Sequence, residues 1–221
     1  LMDLSLHAEY TSNEWMVREL AEEAAKRGLR LHVHVSETAG EVAQCRERHE
    51  GRSPVRYLAD CGLFDQPALA AHCVHVDEAD MAILAEKQVS VATCPKSNLK
   101  LASGVCPVMG LLQAGVNVAL GTDSVASNNN LNMLEEMRFF NLLQKGINQD
   151  PTLLTPGETL YAATRAGALA QGRADCGLIR EGCRADLTVI EMGRDYLMPS
   201  HSLLNNLIYA ASGSEIILTM V

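Results

Sequence analysis

The chain has 221 residues, 48% of them hydrophobic and 20% charged, enough for one domain with a substantial core and too apolar for a disordered chain. A formal charge of −9 excludes the basic footprint of a nucleic-acid binder and disfavours an anionic membrane surface. No apolar run reaches the roughly 18 residues of a membrane-spanning helix, the opening LMDLSLHAEY, with no basic n-region and no long h-region, is not expected to be a signal peptide, and seven irregularly spaced cysteines without a C-x-x-C pair read as free thiols in a reducing, cytoplasmic compartment.

The opening LMDLSLH reads as the tail of a strand. Residues 11–14 (T-S-N-E) fit a capping box that opens a helix running to Gly28, a C-cap glycine. LRLHVHV (29–35) is rich in β-formers. A helix is expected from Thr38 to about His49, and another from Ser53 with Pro54 at its first position. ALAAHCV (68–74) is the next strand, and Asp77 then caps a helix through Lys87. VSVAT (89–93) and NVALGT (117–122) are two further strands, separated by a short helix from Pro107 to Gly115. Residues 130–144 are amphipathic, with Leu131, Leu134, Met137 and Leu142 at helical spacing. Residues 155–158 (T-P-G-E) form a second capping box, opening a helix to about Ala170. Beyond Gly177, ADLTVIE, NNLIYA and SEIILTMV read as short β runs with turns and no helices between them.

The alternation through residue 145 predicts a parallel sheet with right-handed crossovers. Four polar residues close or follow three of its apolar runs: His34 and Glu37, His72, and Asp123. Carboxyl ends of parallel strands are where α/β barrels carry their chemistry. His34 suits a zinc ligand or a satisfied core histidine. Glu37 suits a proton shuttle beside metal-bound water or a first-turn carboxylate favoured by the helix dipole. His72 suits a ligand, or a donor to a metal hydroxide and a developing alkoxide. Asp123 suits a ligand that also takes the attacking water's proton, or a helix N-cap. His32-x-His34 puts both rings on one strand face, with His32 expected one layer deeper, away from metal. His75 is expected on a loop without a special role.

HVHVSET, AAHCVH, CPKSNLKLASG and GTDSVASNNNLNMLEEMR together resemble the amidohydrolase superfamily, on the branch of S-adenosylhomocysteine and 5'-methylthioadenosine deaminases. GCRADLTVIE resembles that family's return into its small β-sandwich. The resemblance implies a (β/α)8 barrel of which this chain carries strands four to eight: residues 1–176 as a partial barrel and 177–221 as a partial sandwich. It implies one divalent metal, usually zinc, with His34 and Asp123 as ligands, Glu37 as proton shuttle and substrate contact, His72 orienting the hydroxide, and His7 as a substrate-contacting histidine. Ser97, Asn98 and residues 128–130 would shape the mouth. The family usually has H-A-P-Y where this chain has His7-Ala8-Glu9-Tyr10.

The implied reaction is hydrolytic deamination of an adenosine-type or related heterocyclic small molecule. The family's earlier H-x-H, which supplies two further ligands, has no counterpart before His7. The chain is therefore expected to be the carboxyl-terminal half of a larger enzyme. The competing expectation is a non-catalytic half-barrel. In either case the open sheet predicts self-association into a homo-oligomer.

Overall fold

A computed structural model describes residues 3–221, so the first two residues of the opening strand reading lie outside the described residues. Five strands, β1 (Asp3–Ala8), β2 (Arg30–Val35), β3 (Ala68–His72), β4 (Ser90–Thr93) and β5 (Val118–Leu120), form one sheet in sequence order. Every neighbouring pair is parallel. Their apolar side chains, among them Leu31, Val33, Val35, Ala70, Val91 and Val118, are buried, as the near-continuous apolar runs of a parallel sheet require.

Helices cross between the strands: α1 (Glu14–Arg27), α2 (Ala39–Arg48), α3 (Pro54–Asp60), α4 (Glu78–Glu86), α5 (Pro95–Lys100) and α6 (Val108–Gln113). Local chemistry sets their ends. Thr38 and Asp77 each cap with a reciprocal capping box, Pro54 sits in the first turn of α3, and Gly28 closes α1 in the left-handed region at φ 61°. The start of α1 differs from the sequence expectation. Asn13 is the cap and accepts from the Met16 amide, while Thr11 belongs to a preceding 3-10 turn whose hydroxyl donates to the Ala8 carbonyl.

After β5 come α7 (Val125–Asn128), α8 (Met133–Asn148) and α9 (Pro156–Tyr161). The last continues through a π turn, Ala162–Ala166, into α10 (Gly167–Ala170). Short α5 and α7 were not expected, because four to six residues carry too little periodicity to show. Leu134 and Met137 of α8 are buried as the pattern requires, but Leu131 and Leu142 are more than half exposed and Phe140 completes the core face. The spacing explains this: Phe140 lies three residues after Met137, whereas Leu142 falls five after it, off the face.

The carboxyl-terminal segment differs most. Strands β6 (Leu187–Ile190) and β7 (Ile216–Met220) pair antiparallel in a two-stranded sheet. NNLIYA, expected as a β run, instead lies in α11 (Leu203–Tyr209), with Ser202 as its cap. Tertiary packing decides it: Ile208 and Ala211 are fully buried, and α11 seats on α8 and α9. Arg138 donates to the Ile208 and Ala211 carbonyls, and the Tyr209 hydroxyl donates to Asn141 at 2.6 Å. Beyond the helix, buried Glu215 accepts from the Tyr196 hydroxyl and the Ser212 and Gly213 amides. Burial opposes its ionisation, yet these donors hold its carboxyl at about 2.

Glu9, where the resemblance sets a proline, is 3% exposed. Its carboxylate accepts from Arg48 at 2.6 and 3.2 Å and from His49 at 2.7 Å. The His49 ring stacks on Tyr57. A proline would stiffen the turn after β1 by fixing φ; here an ion pair to the end of α2 does so instead.

Two outcomes follow. Ile208→Ala should cost about 2–5 kcal/mol in urea unfolding, the range for a buried isoleucine truncated in a packed core; a loss under about 1 kcal/mol, as for a surface site, would mean that α11 is not docked. Burial pushes the Glu9 carboxyl up, but its hydrogen bonds to Arg48 and His49 win and leave it below the ordinary 4.5. A carboxyl lowered by folding stabilises above its unfolded pKa, and that stability is lost as pH falls through the folded value. Stability of the wild type should therefore fall more steeply from pH 7 to about pH 3 than that of Glu9→Gln; parallel slopes in urea midpoints against pH would refute the clasp.

Candidate active site

The strands' shared direction brings their carboxyl ends to one edge. His34 pairs in register with Ala71, and Val35 with His72, so the two histidines sit one step apart on adjacent strands. Their rings lie nearly parallel at a centroid distance of 5.3 Å. Just past the strand ends the backbone turns into the left-handed region at Ser36 (φ 51°), His72 (φ 70°), Cys73 (φ 48°) and Asp123 (φ 58°). Such conformations cost on the order of 1 kcal/mol or more each in non-glycine residues and concentrate at functional sites.

His34, His72 and Asp123 present ligand-capable atoms that all lie within 4.8 Å of one another. Each group has its other side engaged. The His34 Nδ1–H donates to the His7 carbonyl at 2.7 Å, which leaves Nε2 as the basic nitrogen. His72 Nδ1–H donates to Asn98 Oδ1 at 2.8 Å, and its Nε2 stands 3.8 Å from Glu37 Oε2. Asp123 Oδ2 accepts the Ser97 hydroxyl at 2.6 Å and the Ser127 hydroxyl at 2.5 Å, leaving Oδ1 free of them. Burial raises the Asp123 carboxyl, but the Ser127 and Ser97 hydroxyls outweigh it and hold the group below its ordinary value. The cap of α7 is Ser124, not Asp123.

Glu37 follows β2, with its backbone amide bonded to Glu41 at 2.7 Å. The Glu41 carboxylate also takes the Ser36 amide at 2.8 Å, so one buried side chain shapes the turn that carries Glu37. Ser103 reaches Glu37 Oε1 at 3.4 Å, and the His75 ring, expected to be without a role, donates to the Ser103 carbonyl at 2.7 Å. A cleft of about 240 Å³ opens beside Glu37, lined by Tyr10, Thr38, Gly40, Glu41 and Gln44.

His7 sits at an irregularity of β1 and bonds Thr11; its ring lies 5.2 Å from that of His34. His32 stays outside the ligand group, with its ring 6.2 Å from His34. Burial and the neighbouring His34 push its imidazole below the ordinary range. Of the mouth residues, Asn98 and Asn128 are buried supports, while Asn129 and Asn130 are exposed. Sequence reading missed the hydroxyl of Ser127; its place four residues after Asp123 and just after the Ser124 cap was the available signal. A second ligand-like group, Glu9, Cys45 and His49, has its positive charge supplied already by Arg48, which bonds both Glu9 oxygens.

The Amidohydrolase family profile matches residues 2–221. A 5-methylthioadenosine/S-adenosylhomocysteine deaminase of Pelotomaculum thermopropionicum is 49% identical over 210 residues, which is 95% of this chain and 48% of that protein. A protein of the same name from Moorella thermoacetica is 48% identical over 214 residues, 96% of this chain and 50% of its own length. The crystal structure of an adenosine deaminase from Xanthomonas campestris with bound zinc superposes with a TM-score of 0.96 at 38% identity, covering 99% of this chain and 50% of that one. The chain thus spans about half the length of the relatives it matches. With the parallel sheet and the profile match in agreement, it belongs to the amidohydrolase family.

Proposed function

We propose that this chain carries the catalytic half-site of a metal-dependent hydrolase that deaminates an adenosine-type or related purine or heterocyclic substrate. The carrying observation is the convergence of His34, His72 and Asp123, with atoms within 4.8 Å of one another and their remaining polar atoms held by the protein. This donor set fits zinc, which takes imidazole nitrogen and carboxylate oxygen. His34 Nε2 and Asp123 Oδ1 would hold it, together with ligands from outside this chain. Bound there, zinc would lower the pKa of a water molecule toward neutrality and supply the nucleophile.

The remaining roles belong to side chains. Asp123, kept ionised by two hydroxyl donors, accepts the attacking water's proton. Glu37, half-buried beside the cleft, delivers a proton to a ring nitrogen of the substrate. His72 Nε2, the basic nitrogen of its ring once Nδ1–H is committed to Asn98, accepts a hydrogen bond from the attacking water and orients it. His7 contacts the heterocycle. The overall reaction consumes water, breaks the exocyclic C–N bond and releases ammonia. The names of the deaminase relatives support this substrate class.

In this reading residues 1–176 are strands four to eight of a (β/α)8 barrel, and residues 177–221 belong to the small sandwich. The edge strands β1 and β5 are each paired on one side among the described residues, and association into a homo-oligomer covers them. The seven unpaired cysteines suit a reducing cytoplasmic setting. No helix among the described residues is long and apolar enough to cross a membrane.

With zinc loaded, ammonia release from 5'-methylthioadenosine should fall by about 10²–10⁴ in Glu37→Gln, the range for a lost general acid–base, while bound zinc stays the same. In Asp123→Asn zinc itself should be lost, by metal analysis after dialysis. Glu37→Gln retaining full rate would sink the shuttle assignment, and Asp123→Asn retaining zinc would sink the ligand assignment.

A further inference from the structure

A glutamate that touches none of the reacting groups lies beneath them. Glu136, in the first turns of α8, is 0% exposed. Its Oε2 accepts from the backbone amide of Lys96 at 3.1 Å, in the first turn of α5. Its Oε1 accepts from Asn128 Nδ2 at 2.6 Å, at the end of α7. The same Asn128 nitrogen donates to the Thr122 carbonyl at 2.6 Å, next to Asp123. One carboxylate therefore ties together the two short helices that follow β4 and β5.

These helices carry the groups that orient the site. From α5, Ser97 bonds Asp123 and Asn98 bonds His72 Nδ1. From α7, Ser127 bonds Asp123. Helices of six and four residues are too short to hold themselves in place. Their placement has to come from elsewhere, and a buried carboxylate facing only donors is a strong anchor. Both partners of Glu136 are N–H donors, so the geometry calls for an acceptor oxygen on each side of the carboxyl, while burial raises its pKa above the ordinary value.

We infer that Glu136 is the positioning residue for the site: by holding α5 and α7 in one arrangement, it aims the Ser97 and Ser127 hydroxyls at Asp123 and fixes the tautomer of His72 through Asn98. The inference rests on the reading that Asp123 and His72 act on the metal and the reacting oxygen, but its test has an arm that needs neither metal nor turnover.

In Glu136→Gln the amide nitrogen must face either the Lys96 amide or the Asn128 nitrogen, donor against donor. Long-range ¹H–¹⁵N spectra of the metal-free chain should then show His72 passing from a single Nδ1–H tautomer to a mixture. His34, whose Nδ1–H rests on the His7 carbonyl instead, should be unchanged. Cobalt(II), titrated as a spectroscopic substitute for zinc, should bind about 10–100-fold more weakly, the usual effect of losing an orienting partner behind a ligand. Glu215→Gln is the control: Glu215 is an equally buried carboxylate that serves only the carboxyl-terminal segment. It should lower stability and leave the His72 tautomer and cobalt affinity as they are.

Asn128→Ala removes the α7 arm of Glu136 together with the bond that Asn128 makes to the Thr122 carbonyl. It should weaken cobalt binding with the His72 tautomer intact, and it decides the matter should Glu136→Gln not fold. The inference is overturned by a Glu136→Gln protein with wild-type tautomer and cobalt affinity, by Glu215→Gln causing the same changes, or by Asn128→Ala binding cobalt as tightly as wild type. Failure of the wild-type chain to hold cobalt would count against the metal reading, leaving the tautomer arm to decide on Glu136.

Discussion

Parallel pairing is the constraint from which the site follows. Five strands that share one direction and lie in sequence order must bring all their carboxyl ends to one edge, and the crossover helices must return on the outside. Along the strands the buried side chains are mostly apolar, and the polar groups of the site sit in the last pairs of the ladder or just past them. There the chain turns sharply, through left-handed residues at Ser36, His72, Cys73 and Asp123. The turn keeps His72 and Asp123 from continuing the strand's alternation and faces them over the end of the sheet. Histidine and aspartate tolerate that conformation better than branched residues do. The strain they retain is offset by the apolar core beneath.

The groups of the candidate site share a second pattern. Each has one polar atom held by protein and one left open. A neutral imidazole has one donor and one acceptor, so a carbonyl accepting from His34 Nδ1 and an amide oxygen accepting from His72 Nδ1 settle which nitrogen of each ring is basic. A carboxylate has about four acceptor positions; two hydroxyls on Oδ2 of Asp123 use part of that capacity and favour its ionised state. The surroundings thus select protonation and orientation before any ligand arrives. Glu41 does the same for the backbone around Glu37, by accepting the Ser36 and Glu37 amides.

Much of this could be read from the residues. Apolar runs of four to seven residues gave all five parallel strands, and capping residues such as Thr38, Asp77 and Thr155 gave helix starts to within a residue, because both signals are local. His34, His72 and Asp123 were legible as a set because each closes such a run. What was not legible depends on distant partners. NNLIYA has the composition of a strand as much as of a helix, and becomes a helix because Ile208 finds a buried seat. Asn13 displaced Thr11 as cap because Thr11 is drawn into the 3-10 turn Glu9–Thr11, two residues short of the cap position. The function of Glu9 lay in Arg48 and His49, about 40 residues away, and no spacing rule joins them. Ser97 looked like a mouth residue, and only the fold shows that its hydroxyl reaches Asp123.

Helix α8 connects these observations mechanically. One end of it anchors α5 and α7 through Glu136, and Lys96 is gripped a second time by Glu135 at 2.7 Å. Its middle carries Phe140 into the core. Another face receives the carboxyl-terminal segment through Arg138 and Asn141, with Asn132 bonding the Ser212 carbonyl at the amino end. A segment whose two strands are largely exposed therefore does not hang free; its helix is bolted to the same rod that sets the site's supports. The carboxyl-terminal segment contributes no group to the site, and it meets α8 at Asn132, Arg138 and Asn141, apart from the Glu135 and Glu136 side chains that hold α5 and α7.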